Sequence, residues 1–342
     1  MPDDIGFEAA VALFIAMTAV ITVAGTAMAG VVDRLADRTG LGEALAGVLL
    51  LAAATSLPDF AATLSAAVDD RPELAMSNIT GSMAANFVFL AVADAFHRKA
   101  NLEHAAASSA NLVQAALFIA LLTLPLIAAT APELAFFGVH PVTPVIVGAY
   151  LLGMRLVHQA YRQPMWLPRN TPQTEADVPD AKNRDLSLAR LWLVFIALTA
   201  TTGFAGWTIM ESAKVITAST GLKDGIAGGL FTAFATSLPE LVTTIAAVRM
   251  GALTLAVSNI LGTNAFNVLV IAAADIGFRS GSIHHAISPA QVGWGLIVIL
   301  MTAVLLLGLV QRQTYGPGRI GFESGLVLLL YVLGLTILAL QP

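Results

Sequence analysis

Cysteine is absent from the 342-residue chain, which excludes disulfides and thiolate metal sites. Charge is scarce: 11% of residues are Asp, Glu, Lys or Arg, against about a quarter in soluble domains. Such a chain has too few charges to cover a water-facing surface. Nucleic-acid binding is excluded by the same shortage. The one loop rich in basic residues, Arg155 to Arg190, also carries Glu175, Asp177, Asp180 and Asp185, so no basic stripe forms. No His-Glu-x-x-His occurs, which removes the zinc-protease type of intramembrane enzyme. We therefore expect neither enzymatic chemistry nor a bound cofactor. The opening Met-Pro-Asp-Asp lacks the basic segment of a secretory signal, and the first apolar run is expected to remain as a span.

Apolar sequence dominates instead, at 57% of residues and a mean hydropathy of +0.80. Runs of about 20 apolar residues recur along the chain, the length a bilayer-crossing helix needs, whereas a membrane barrel would show short alternating segments. The expected fold is an all-α membrane protein. Ten transmembrane helices are predicted, at about 8–32, 41–68, 72–96, 107–130, 141–160, 189–212, 222–249, 251–277, 288–310 and 320–340. A Pro-rich polar linker at 161–188 separates residues 1–160 from 189–342, giving two five-helix halves. Thirteen of the 17 basic residues fall in loops on the linker's side of the membrane. That bias puts the linker in the cytoplasm and both termini outside, in what we expect to be a prokaryotic inner membrane. Trp166, Trp192, Trp207 and Trp294 lie near predicted span ends, as an aromatic belt requires. The expected partners are the lipid bilayer and inorganic cations, with no obligate protein partner implied.

The chain also repeats itself. Ala54-Thr-Ser-Leu-Pro-Asp59 returns as Ala235-Thr-Ser-Leu-Pro-Glu240, and the offset of 181 holds from Ala52 to Asp94 without a gap, with 19 identities in 43 positions. Chance would supply roughly four or five, so the halves are an internal duplication. Because each half has an odd number of spans, the copies enter the membrane from opposite sides, making an inverted repeat of the kind found in secondary transporters.

Polar residues concentrate at the duplicated segment. Pro58 and Pro239 lie inside their helices and cannot bond the carbonyls of Ala54 and Ala235, which frees backbone oxygen at membrane depth. Asp59 and Glu240 follow directly, with Thr55 and Thr236 one turn earlier on the same face and Ser56 and Ser237 beside the break. On the next helix of each half, Asn78, Ser82 and Asn86 form a stripe at steps of four, repeated by Asn259, Thr263 and Asn267. Gly81 and Gly262 permit close helix approach. All these groups offer hard oxygen, suited to Ca²⁺ or Na⁺ and not to zinc or copper. Two carboxylates at bilayer depth cost about 2.5–3.5 kcal/mol each on insertion scales, so function, not packing, is the expected reason for them. Asp94 and Asp275 also match, but towards span ends, where they are expected to face solvent or cap a helix. His284 and His285 are expected at the outer surface, and Met83 in packing.

These motifs are similar to the alpha repeats of the cation/calcium exchanger superfamily, whose members carry Gly-Thr-Ser-x-Pro-Glu followed by Gly-Asn-x-x-Gly-Ser-Asn-x-x-Asn/Asp. The resemblance implies that Thr55, Ser56, Asp59, Ser82 and Asn86, with Thr236, Ser237, Glu240, Thr263 and Asn267, surround transported cations. It also implies alternating access, with a hinged helix pair sliding over a compact core. This chain departs from the pattern at Asp59, at Met83 (Asn264 in the second half), at Ala54 and Ala235, and at Ser77 and Ser258. Asn267 is neutral where several sodium-driven relatives carry Asp. The implied activity is Ca²⁺ export in exchange for Na⁺, with H⁺ coupling or another cation on the same scaffold as the alternative. A cation channel fits the broken helices less well.

Overall fold

A computed structural model describes residues 6–40, 46–97, 100–106, 108–169, 171–174, 187–221, 225, 227–316 and 320–339. Residues 170 and 175–186 of the 161–188 linker thus lie outside the described residues. Thirteen α-helices account for the architecture: α1 (Phe7–Thr39), α2 (Ala52–Thr55), α3 (Leu57–Val68), α4 (Pro72–Phe96), α5 (Leu102–Ala105), α6 (Ser109–Thr130), α7 (Val142–Arg162), α8 (Leu188–Thr220), α9 (Ala233–Thr236), α10 (Leu238–Met250), α11 (Leu253–Gly277), α12 (Pro289–Gln311) and α13 (Phe322–Ala339). The described residues contain no strand beyond an isolated bridge between Phe136 and Val139.

α1, α4, α6, α8, α11 and α12 are each long and apolar enough to cross a membrane. Two further crossings are broken: the segment through α2 bends by 48° into α3, and the segment through α9 bends by 45° into α10. With α7 and α13, five helical segments stand in each half. The breaks sit at Ser56 and Ser237, two residues before Pro58 and Pro239. Proline is tolerated in the first turn of the new helix because its missing amide hydrogen has no partner there. Immediately before α2 and α9 lie π-helical turns, Gly47–Leu51 and Ala227–Thr232, a widening often found at functional sites.

Two predicted boundaries need correction. α1 was expected to end near residue 32 and α8 near 212, where charged or polar residues begin. Both run about two turns further, to Gly40 and Gly221, whose φ of 70° and 69° close the helices in the left-handed region. Glycine at the C-terminal cap, and not the loss of hydrophobicity, sets these ends.

Contacts are exchanged between the halves as a two-fold relation demands. Gly25 of α1 rests on Pro239 of α10, where an added Cβ would lie 2.9 Å from the proline Cα; Gly206 of α8 rests on Pro58 of α3, with 2.2 Å at the same point. A Cβ added at Gly81 of α4 would lie 2.6 Å from the Gly229 carbonyl oxygen, and one at Gly262 of α11 would lie 2.8 Å from the Val48 Cα. α1 and α8 also pack along each other. Inside, α4 and α11 are buried on nearly all sides, their polar stripes as well as their apolar faces.

The conserved offset also explains Asp94 and Asp275. Neither faces solvent, and both cap. Asp94 accepts from the amides of Leu102 (2.6 Å) and Gly321 (2.9 Å) and from the Ser324 hydroxyl (3.1 Å). Asp275 accepts from the amides of Ile283 (3.0 Å) and His140 (2.8 Å) and the hydroxyls of Ser282 (3.1 Å) and Thr143 (2.6 Å). Each acid therefore ties its own half to the start of the last helix of the other half. The turn beneath Asp275 carries His284 inside, fully buried, with neither ring nitrogen hydrogen-bonded, so the expected surface role fails for this residue. Burial pushes the His284 imidazole down to about 4 and lowers that of His140. At the equivalent position in the first half, Glu103 is buried rather than exposed on a loop, and burial, aided by Asp94 and Glu323, holds it well above the usual carboxylate range.

Candidate cation site

All ten residues singled out in the repeats are completely buried, at the level of the two breaks. α3 and α10 start there, so Asp59 and Glu240 lie in first turns, where the unpaired amide hydrogens and helix dipole favour negative charge. The breaks thus turn two interior helix ends towards each other's half.

Asp59 gathers residues from both repeats. Its Oδ1 accepts from Ser82 (2.8 Å) on α4 and Thr236 (2.5 Å) on α9, and its Oδ2 accepts from Asn267 Nδ2 (3.2 Å) on α11. Across the pseudo-two-fold, Thr55 and Thr263 stand 3.4 Å apart. Thr55 lies near Glu240, but its single hydrogen is directed to the Leu51 carbonyl at 2.9 Å. Both carboxylate oxygens of Glu240 are buried with no donor within hydrogen-bond geometry. Ser56 donates to the Ala52 carbonyl (2.7 Å), a back-bond within its own turn, while the Ser237 hydroxyl has no partner.

The amides continue the pattern. Asn78 Nδ2 donates to Thr63 (3.0 Å), and Asn259 Nδ2 to Thr243 (3.1 Å) and Thr244 (3.3 Å). Asn86 Nδ2 donates to Asn264 Oδ1 (2.8 Å). The side-chain oxygens of Asn78, Asn86, Asn259 and Asn267 are buried and lack donors. Buried acceptors without donors each cost about 1–3 kcal/mol, and such a donor-poor set of hard oxygens is what a desolvated alkali or alkaline-earth cation satisfies. Among the described residues no three His, Asp or Glu side chains form a metal cluster. Ligation here would thus rest on two acids plus hydroxyl and amide oxygen.

Sequence reasoning missed Thr63, Thr243 and Thr244, which hold the first asparagine of each stripe, and Asn264, which bridges α4 and α11. Thr63 and Thr244 share the 181 offset, and that signal was sufficient to find them. Gly25 and Gly206 share it as well, outside the stretch first recognised as duplicated.

The sequence model for the family described as sodium/calcium exchanger protein matches residues 9–154 and 190–340. The chain belongs to this family. Membership and the apolar helices make it an integral membrane cation exchanger, and the match spans both repeats that form the polar centre. Among curated relatives, the inner membrane protein YrbG of Escherichia coli strain K12 is 25% identical over 288 residues, covering 82% of each chain. A solved structure of the sodium-calcium exchanger NCX_Mj shares the fold with a TM-score of 0.66, at 17% identity, over 96% of this chain and 99% of its own. The H⁺/Ca²⁺ exchanger CAX does so with a TM-score of 0.65, at 15% identity, over 97% of this chain and 82% of its own. The backbone fits both about equally.

Proposed function

We propose that the protein exports Ca²⁺ in exchange for Na⁺ by alternating access, binding its cations among Thr55, Ser56, Asp59, Ser82, Asn86, Thr236, Ser237, Glu240, Thr263 and Asn267. The observation that carries this reading is the donor-poor oxygen set centred on Glu240, joined to Asp59 through residues of both repeats. Two carboxylates neutralise one Ca²⁺, and the available oxygens exceed the six to eight that ion takes. α1 and α8, which touch both breaks through Gly25 and Gly206, are the pair that slides over the core.

Proton coupling is favoured by one specific feature. Asn267 donates to Asp59, a contact an aspartate could make only with a proton or cation between the acids. The centre therefore carries two carboxylates, enough to take two protons for each Ca²⁺. Uptake of ⁴⁵Ca²⁺ into proteoliposomes separates the readings. An outward Na⁺ gradient is expected to drive accumulation and a pH gradient alone is not; the reverse result assigns proton coupling.

The halves 1–160 and 189–342 are proposed to flank a cytoplasmic linker, 161–188, with both termini outside. The basic-residue bias supports this orientation. In the cysteine-free chain, exposed Arg169 replaced by cysteine should react with an impermeant maleimide only once the inner face is opened. Labelling in intact cells would reverse the topology.

A further inference from the structure

The two halves present equivalent polar groups, yet Asp59 accepts from three donors and Glu240 from none within hydrogen-bond geometry. Shifting each Asp59 partner by 181 residues names the groups that would serve Glu240: Thr263 for Ser82, Thr55 for Thr236 and Asn86 for Asn267. Asn267 does donate to Asp59. Asn86 instead gives its Nδ2 to Asn264 Oδ1 at 2.8 Å. Asn264 in turn donates its own Nδ2 to the Met83 carbonyl at 3.2 Å. The residue matching Asn264 in the first half is Met83 itself, buried and unable to hydrogen-bond in this way, and Asn267 is left free to reach Asp59.

The orientation of this chain of amides follows from its far end. A backbone carbonyl only accepts, so Asn264 must present its NH₂ group to Met83 and its oxygen to Asn86. Asn86 must then present NH₂ to Asn264, and its own oxygen, buried and without a donor, is turned elsewhere. We infer that Asn264 is a positioning residue that holds the Asn86 carboxamide with its oxygen available to the cation and its NH₂ group withheld from Glu240. The asymmetry assigns the two acids different work: Asp59 is kept in a donor network when no cation is near it, whereas Glu240 and Asn86 keep bare oxygens. This inference rests on the proposal that Asn86 and Glu240 are cation ligands.

Replacing Asn264 by the residue its counterpart carries, Asn264→Met, removes the acceptor that holds Asn86. The freed NH₂ group then turns to the nearest uncompensated acceptor, as Asn267 does in the other half. Hydrogen bonding of a buried carboxylate by an amide is strong enough to compete with a cation by about tenfold or more. The KM for ⁴⁵Ca²⁺ uptake by reconstituted protein should rise by about that factor, with a smaller change in maximal rate. Asn264→Ala, which adds no bulk at the α4–α11 crossing, should shift KM in the same direction. The decisive comparison is a cycle with Asn86→Ala. Asn86→Ala should raise KM alone, and in its background Asn264→Met should raise it no further. Equal KM rises from Asn264→Met in both backgrounds, or none in either, would overturn the positioning role while leaving Asn86 a ligand. An unchanged KM in Asn86→Ala itself would remove Asn86 from the site and the inference with it.

Discussion

Glu240→Gln is expected to abolish cation exchange while the protein still folds, and Asp59→Asn to abolish exchange at some cost in stability. The shared loss follows from charge. At an effective dielectric near 20, a unit charge about 4 Å from a cation contributes about 4 kcal/mol before desolvation, so a fall of at least ~100-fold in flux at limiting Ca²⁺ is expected for each variant. The different stabilities follow from the hydrogen bonds. Glu240 has no donor on either oxygen, and neutralising a buried, uncompensated charge relieves strain on the fold. Asp59 accepts from Ser82, Thr236 and Asn267; an asparagine leaves one of these donors facing an NH₂ group, a loss of about 1–3 kcal/mol. Flux in proteoliposomes and thermal unfolding in detergent measure the two effects. Exchange at the wild-type rate in either variant, at equal reconstitution, removes that acid from the mechanism.

The largest effect on stability is expected at Asp275 and Asp94. Asp275→Ala strands two amides and two hydroxyls, and Asp94→Ala strands two amides and one hydroxyl. Bonds to a charged acceptor are each worth about 1.5–3 kcal/mol, so losses of about 3–5 kcal/mol are expected even after partial hydration of the freed groups. Each variant separates the last helix of one half from the core of the other. Proteolysis or hydrogen exchange should therefore localise the damage to α7 in Asp275→Ala and to α13 in Asp94→Ala. Uniform loosening in both would show that these acids do not tie particular helices.

The contrast between these pairs of acids shows what the sequence could convey. Ten segments, their duplication and the breaks at Pro58 and Pro239 were legible because length, an invariant offset and the missing proline amide act locally. The stripes of Ser82 and Asn86, or Thr263 and Asn267, were legible for the same reason, since steps of four fix a helical face. Which donors each acid collects was not. Asp59 collects three donors and Glu240 none because Thr55 bonds back to Leu51 and Asn264 diverts Asn86, the latter an interaction between residues 178 positions apart that no local pattern encodes. His284 was placed too near solvent, and of the two expectations for Asp94 and Asp275, facing solvent or capping a helix, only capping holds, because position within a span says little about what the opposite half packs over its end. The ends of α1 and α8 were set by Gly40 and Gly221 and not by the polarity used to locate them.

Cations are expected to be exchanged one for another at an occluded centre that needs Glu240. Counterflow tests this independently of the coupling ion. Proteoliposomes loaded with ⁴⁵Ca²⁺ are diluted into media of increasing unlabelled Ca²⁺ with Na⁺ and pH equal on both sides. External Ca²⁺ is expected to accelerate release of label, to saturate, and to have no effect when the liposomes carry Glu240→Gln. Release that ignores external Ca²⁺, or counterflow that persists in Glu240→Gln, would contradict the account.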